Sequence, residues 1–332
     1  MIVYIQEQGA RLCLKGERLQ LKKDDRILGD VLLNEVEQLI LMGNITLTNP
    51  VFSSLLDRSI DTVFMSRYGR YRGRLLGLDK RNIQLRQTQY RRYEDESFRL
   101  QWARYVVKGK LFNLRTFLLR FARRRQLDMS ASIHRLRQLV NTVDKQDRVA
   151  KIRGMEGVGS ALYFKGLRAF FPESLGFNGR NRRPPKDPAN ALLSFGYALL
   201  ANSVENAVCQ TGLDPHLGYF HVVDYGRPSL VLDLMEEFRP ILVDSVVLNI
   251  ANHGMVRGTH TELRDKGVFL SDEGRKLLID AFEKRLNERV SYRVPSGRVE
   301  SLSYKQCVLQ QTYMLTRFIK NEISSYCPFS VR

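Results

Sequence analysis

From Met1 to about Leu85 the apolar positions fall in short alternating or β-branched runs: MIVYI, RLCLKG, RLQL, QLILMGNITLTN, TVFMS and GRLLGL, separated by Gly, Asn and Asp. Side chains alternate faces along a strand, so these runs predict strands and their number predicts a small β domain. One stretch, NPVFSSLLDRS, breaks the alternation and predicts a helix. Pro50 suits its first turn, where a missing backbone N–H is harmless.

After RNIQLRQTQYRRYEDES the period changes, and from about Ser97 apolar residues recur at helical spacing. FRLQWARYVVKGKLFNLRTFLLRFARRR predicts one long amphipathic helix, its buried face supplied by Trp102, Val106, Leu111 or Phe112, and Phe117 to Phe121. Further helices are predicted over Ser130 to Val143, Glu156 to Phe170, Asn190 to Thr211, Ser229 to Ile250, Ser271 to Glu288 and Leu302 to Ser325. GFNGRNRRPPKDP, Gly176 to Pro188, predicts a loop, because Pro184 and Pro185 cannot continue a helix. The pattern gives an α+β multidomain chain: a β domain over 1–86, a linker over 87–96 and a mainly α-helical domain over 97–332.

At 332 residues and 43% hydrophobic content the chain is long enough for a sizeable core and two domains. Its opening, MIVYIQEQGARLCL, has neither a basic leader nor a long apolar stretch and predicts no signal peptide. NALLSFGYALLANSV, Asn190 to Val204, falls short of the roughly 20 residues that span a bilayer, and predicts a core helix. Cys13, Cys209, Cys307 and Cys327 form no CxxC pair, which argues against a zinc ribbon or a disulfide framework and fits packing residues in a reducing cytoplasm.

Charge changes the picture most. Lys and Arg number 53 against 35 Asp and Glu, a formal net charge of +18, and between Arg58 and Arg153 there are 25 basic and 8 acidic side chains. A solvated surface accounts for a single charge run; an excess this large and this local predicts a polyanionic partner, nucleic acid first. MSRYGRYRGRL interleaves aromatic residues with Arg67, Arg70 and Arg72, a pattern suited to phosphate contacts and stacking, although a surface hairpin with scattered charges reads the same way. Arg180, Arg182 and Arg183 add a second basic site in the proline loop.

Within GYFHVVDYGRPSLVLDLMEEFRP the apolar run carries Asp233, Glu236 and Glu237, spaced so that Asp233 shares a helix face with each of the other two. Ser229 is placed to cap this helix. Two readings compete. The acids serve the helix dipole and pair with Arg227 and Arg239, or His221 joins a carboxylate to bind a divalent ion such as Mn²⁺ or Mg²⁺. GMEGVGSALYF sets Glu156 among glycines at a predicted helix start, without the third glycine of a dinucleotide fingerprint. His134, His216, His253 and His260 have no partners at ligand spacing.

These segments together resemble the CRISPR-associated integrase of spacer acquisition, the first of the numbered core CRISPR proteins. The strand, helix and strand pattern of LILMGNITLTNPVFSSLLDRSIDTVFMSRYGRYRGRL, and then ARYVVKGKLFNLRTFLLR, GMEGVGSALYF, RNRRPPKDPANALLSFGYALL, GLDPHLGYFH, GRPSLVLDLMEEFRP and YKQCVLQQTYML, occur in that family's order over essentially the full chain. The resemblance implies a β-sandwich-like N-terminal domain that mediates homodimer formation, and a helical domain that holds the active site. It implies a metal site of Glu156, His221 and Glu236 binding Mg²⁺ or Mn²⁺, with Asp233 as a supporting acid and Glu237 as a charged neighbour facing Arg239 or solvent.

The implied activity is that of a metal-dependent DNA endonuclease and integrase, acting on double-stranded and branched DNA: the 3′-hydroxyl of a short fragment attacks a phosphodiester at a CRISPR repeat. The implied assembly sets two homodimers around a dimer of a small ferredoxin-like partner, the second core adaptation protein. The alternatives are a structure-selective nuclease that uses water as nucleophile, and a non-catalytic DNA-binding scaffold whose acids are helix-terminal.

Overall fold

The computed structural model describes residues 1–75, 82–293 and 297–331; residues 76–78 of the predicted GRLLGL strand lie outside these. The chain divides into two compact units, Met1–Arg81 and Asn82–Arg332.

The first unit contains strands β1 (Ile2–Ile5), β2 (Arg11–Lys15), β3 (Arg18–Lys23), β4 (Arg26–Leu32), β5 (Gln38–Met42) and β6 (Thr46–Leu47), helix α1 (Asn49–Asp57), and strands β7 (Asp61–Met65) and β8 (Tyr71–Leu75). One sheet runs in the order β1, β5, β7, β8, its first three strands parallel. All five residues of β5, QLILM, are buried, as expected of a parallel strand covered on both faces. The second sheet runs β4, β3, β2, β6. Leu12 and Leu19 from the second sheet, Leu39 and Leu41 from the first, and Val51 and Leu55 from α1 form a single core, so the unit is sandwich-like. Pro50 sits in the first turn of α1.

The second unit begins with α2 (Ile83–Glu94), where a linker over 87–96 was expected. Its buried face carries only Leu85 and the amide of Gln89. Gln89 Nε2 donates to the carbonyls of Asp214 and Leu217 at 2.9 and 3.1 Å, and its Oε1 accepts from Asp214 N at 2.8 Å. A helix docked through a buried amide lacks the apolar period by which helices are found. Next come α3 (Glu96–Arg125), capped by Asp95, α4 (Ser130–Thr142), α5 (Val149–Leu167) and α6 (Pro188–Thr211), capped by Asp187.

The single helix predicted over Ser229 to Ile250 is interrupted. α7 (Ser229–Met235) ends before a turn, a π-helical stretch covers Arg239–Asp244, and α8 (Ser245–Asn252) follows. Pro240 supplies the cause, since it cannot donate to the ladder and clashes with the preceding turn. Ser229 does not cap α7: it is the first residue of the helix itself, and its Oγ donates to the Val222 carbonyl at 2.9 Å. Two short hairpins that the apolar pattern does not announce, β9 (Thr261–Arg264) with β10 (Gly267–Leu270) and β11 (Arg289–Arg293) with β12 (Val299–Ser303), flank α9 (Asp272–Asn287). α10 (Tyr304–Ile319) starts two residues later than predicted, because Leu302 and Ser303 belong to β12. Among the described residues no helix is long and apolar enough to cross a membrane, and no cysteine forms a disulfide.

Candidate functional site

The site is built from α3, α5, the loop before α7 and the turn after it. α5 starts seven residues earlier than predicted, so Glu156 stands mid-helix and is no helix-terminal acid. A Cβ on Gly159 would lie 2.2 Å from Leu111 Cδ2. The glycine therefore lets α5 lie against α3, and that approach brings Glu156 to Lys110. A second close approach sets the histidine loop: a Cβ at Gly218 would meet the Ser229 backbone at 2.5 Å. Leu230 N also donates to the Pro215 carbonyl at 3.0 Å, so the loop is seated on the start of α7.

Asp233 is fully buried and accepts five hydrogen bonds. Trp102 Nε1, Tyr219 N and Phe220 N donate to Oδ2 at 2.9, 2.8 and 3.0 Å, and His221 N and Nδ1 approach Oδ1 at 2.8 Å each. A carboxylate offers only acceptors, so the Nδ1 contact places a proton on that nitrogen and turns Nε2 toward Glu236. Nε2 lies 3.6 Å from Glu236 Oε1. This carboxylate–histidine relay is the arrangement that fixes a ligating imidazole in metal centres.

Glu236 is nearly buried and ringed by cations. Arg239 Nε lies 3.3 Å from its Oε1 and Lys110 Nζ 2.6 Å from its Oε2. Both contacts are close ion pairs within a largely buried site. Burial alone would push the Glu236 carboxyl up, but Arg239, Lys110 and His221 outweigh it and hold it at about 2. Lys110 also donates to Glu156 Oε1, which accepts from Ser160 Oγ at 2.8 Å. Lys110 thus joins Glu156 to Glu236, and His221 reaches the same cluster through Glu236.

Among the described residues no three His, Cys, Asp or Glu side chains stand close enough to grip an ion as they are. Lys110 Nζ occupies the bridging position between the two carboxylates. The donor set nonetheless fits a hard divalent cation: two carboxylates that meet at one cation and one imidazole held by its carboxylate partner.

Glu237 does not face Arg239 or solvent. It is buried and accepts from Tyr326 Oη, Gln311 Nε2 and Phe329 N at 2.7, 2.8 and 2.7 Å. Burial raises its carboxyl to about 7 in spite of these donors. It anchors the C-terminal segment, not the site.

Arg180 is likewise turned inward, donating to Asn190 Oδ1 at 2.8 Å and Ser194 Oγ at 3.0 Å and lying over the Tyr197 ring. It organises the proline loop, whereas Arg182 and Arg183 in the same loop are exposed. In the first unit Arg70 and Arg72 are exposed and Arg67 is partly buried.

The sequence reading named Arg239 as a partner of the acids, which its contact with Glu236 bears out, but did not find Lys110 or Arg153. Arg153 donates twice to the Phe220 carbonyl, at 3.1 and 2.7 Å, holding the residue before His221. Lys110 was detectable: it continues the buried row of Trp102 and Val106 at four-residue steps, where a lysine requires a partner.

A family model described as "CRISPR associated protein Cas1" matches residues 3–284 of this chain. The "CRISPR-associated endonuclease Cas1 3" of Thermus thermophilus is 35% identical over 337 residues, covering 100% of this chain and 97% of that protein. Among solved structures, a "Cas6-RT-Cas1--Cas2 complex" matches with a TM-score of 0.84 at 25% identity, covering 100% of this chain and 36% of the other, so this chain spans about a third of that one. A "Casposase bound to integration product" matches with a TM-score of 0.87 at 19% identity over 99% and 94% of the two chains, a likeness of fold.

Proposed function

This chain belongs to the CRISPR-associated Cas1 family, and from that premise we propose that it is a divalent-metal-dependent DNA endonuclease and integrase whose site is Glu156, His221 and Glu236. The clustering of these three residues, Glu156 and Glu236 on one ammonium and His221 Nε2 3.6 Å from Glu236, carries the reading. Glu156, His221 Nε2 and Glu236 would hold Mg²⁺ or Mn²⁺, which when bound supplies charge stabilisation at the attacked phosphate. Asp233 keeps the His221 proton on Nδ1 and the ring in place. Arg153 fixes the loop that presents the ring, and Arg239 balances the Glu236 charge. In the reaction one P–O bond forms to the attacking 3′-oxygen as another breaks on the far side; the attacking hydroxyl gives up its proton to solvent and the leaving oxygen takes one up, so the step is balanced.

Exposed basic residues, Arg70, Arg72, Arg182 and Arg183 among them, would meet the DNA backbone. They give binding that weakens steeply with salt and reads little sequence.

A labelled branched DNA tests the reading: with Mn²⁺ it yields strand-transfer and cleavage products, and chelation abolishes both while binding persists. Processing that survives chelation would sink the metal assignment, and cleavage without strand transfer would favour water as nucleophile.

The partner suggested by the fused relative's complex is Cas2, the small second adaptation protein. Homodimer formation through the first unit has support in β4, an edge strand that exposes Ile27 and Leu28 at 56% and 51%. An unpaired edge with apolar side chains invites a second copy. Ile27→Asp with Leu28→Asp is expected to convert a dimer to a monomer in light scattering with the thermal melt unchanged; a variant that stays dimeric places the interface elsewhere.

A further inference from the structure

Lys110 touches two of the three proposed ligands. Its side chain is 9% exposed, its Nζ lies 2.6 Å from Glu236 Oε2, and it donates to Glu156 Oε1. The two carboxylates belong to different segments, α5 and the turn after α7, so the ammonium ties those segments together. The local charge is already balanced, since Glu156 and Glu236 face Lys110 and Arg239. A divalent ion seeking the same carboxylate oxygens meets a like charge at contact distance, where repulsion in a partly dry site is strong. The ammonium and the ion cannot bridge the same two oxygens together.

We infer that Lys110 is the resident counter-ion of the site, a built-in competitor that holds Glu156 and Glu236 together before the metal arrives and must release them when it binds. The inference rests on the ligand assignment proposed above. Its consequence is a free protein that is properly assembled yet binds divalent ions weakly.

Calorimetric titration of the full chain with MnCl₂ tests it. Lys110→Gln retains amide donors for both carboxylates and Lys110→Met retains the side chain's length; both remove the charge. Each is expected to bind Mn²⁺ about tenfold or more tightly than the wild type, with a larger rise in melting temperature on adding Mn²⁺, whereas Lys110→Arg stays within about threefold. In the wild type, acetylation of Lys110 by an amine-directed reagent, read by mass spectrometry, is expected to rise when Mn²⁺ saturates the site, a check that needs no variant. Equal or weaker Mn²⁺ binding by the charge-free variants, or unchanged Lys110 acetylation, overturns the inference. Failure of the ligand assignment has a different signature: Mn²⁺ binding that is indifferent to Glu156→Gln and Glu236→Gln.

Discussion

Replacing Glu236 with glutamine is expected to lower Mn²⁺-supported strand transfer by about a thousandfold or more while DNA affinity stays within about threefold. The substitution keeps the shape of the side chain and removes a charge that Arg239, Lys110 and His221 all face. Because these neighbours hold the carboxyl at about 2, Glu236 is ionised throughout the neutral range in the native protein. An amide cannot replace that charge at a metal ion. DNA affinity rests on surface cations distant in kind from this buried group, so binding and chemistry should separate. Initial rates on denaturing gels, with affinity from fluorescence anisotropy at one fixed salt concentration, give the two readouts. Near-wild-type transfer by the variant removes Glu236 from the ligand set.

Asp233→Ala should cost about 3–5 kcal/mol of folding stability, a large part of the roughly 5–15 kcal/mol that typically holds a domain. The loss arises because three backbone N–H groups, an indole N–H and an imidazole lose their acceptor inside the core. Asp233→Asn, which keeps one carbonyl oxygen, should lose less. Trp102 is the sole tryptophan of the chain, so its emission in a urea titration reports on the very side chain that Asp233 binds. A midpoint unchanged in Asp233→Ala would mean that water satisfies these donors, and the acid would then be a minor support.

The contrast between α2 and α3 shows which parts of the fold the sequence discloses. α3 buries Trp102, Val106, Leu114 and Phe117 and so writes its period into the chain, whereas α2 docks through Gln89 and reads as polar linker. β9 has three exposed residues out of four, Leu263 among them, and no alternation to detect. At the site, spacing brought Asp233, Glu236 and Glu237 to notice but did not distinguish them. One orients a histidine, one faces the cations and one anchors the C-terminal segment, because their surroundings come from α3, the histidine loop and residues 311–329. Such partners lie beyond any local window. The family resemblance supplied Glu156, which α5 and Gly159 bring to Lys110 across a helix interface that no spacing rule encodes.

Trp102 and Asp233 are separated by 131 positions; Lys110, Glu156 and His221 fall between them, and Glu236 follows three residues later. On the ribosome the first of these residues emerges well before the last, an interval on the order of ten seconds at about 5–20 residues per second. During that interval the nascent chain already displays the arginine-rich α3 without an assembled centre. A chain that ends before Glu236 has no partner for Lys110 beyond Glu156, so the centre closes only when nearly three quarters of the protein has been made.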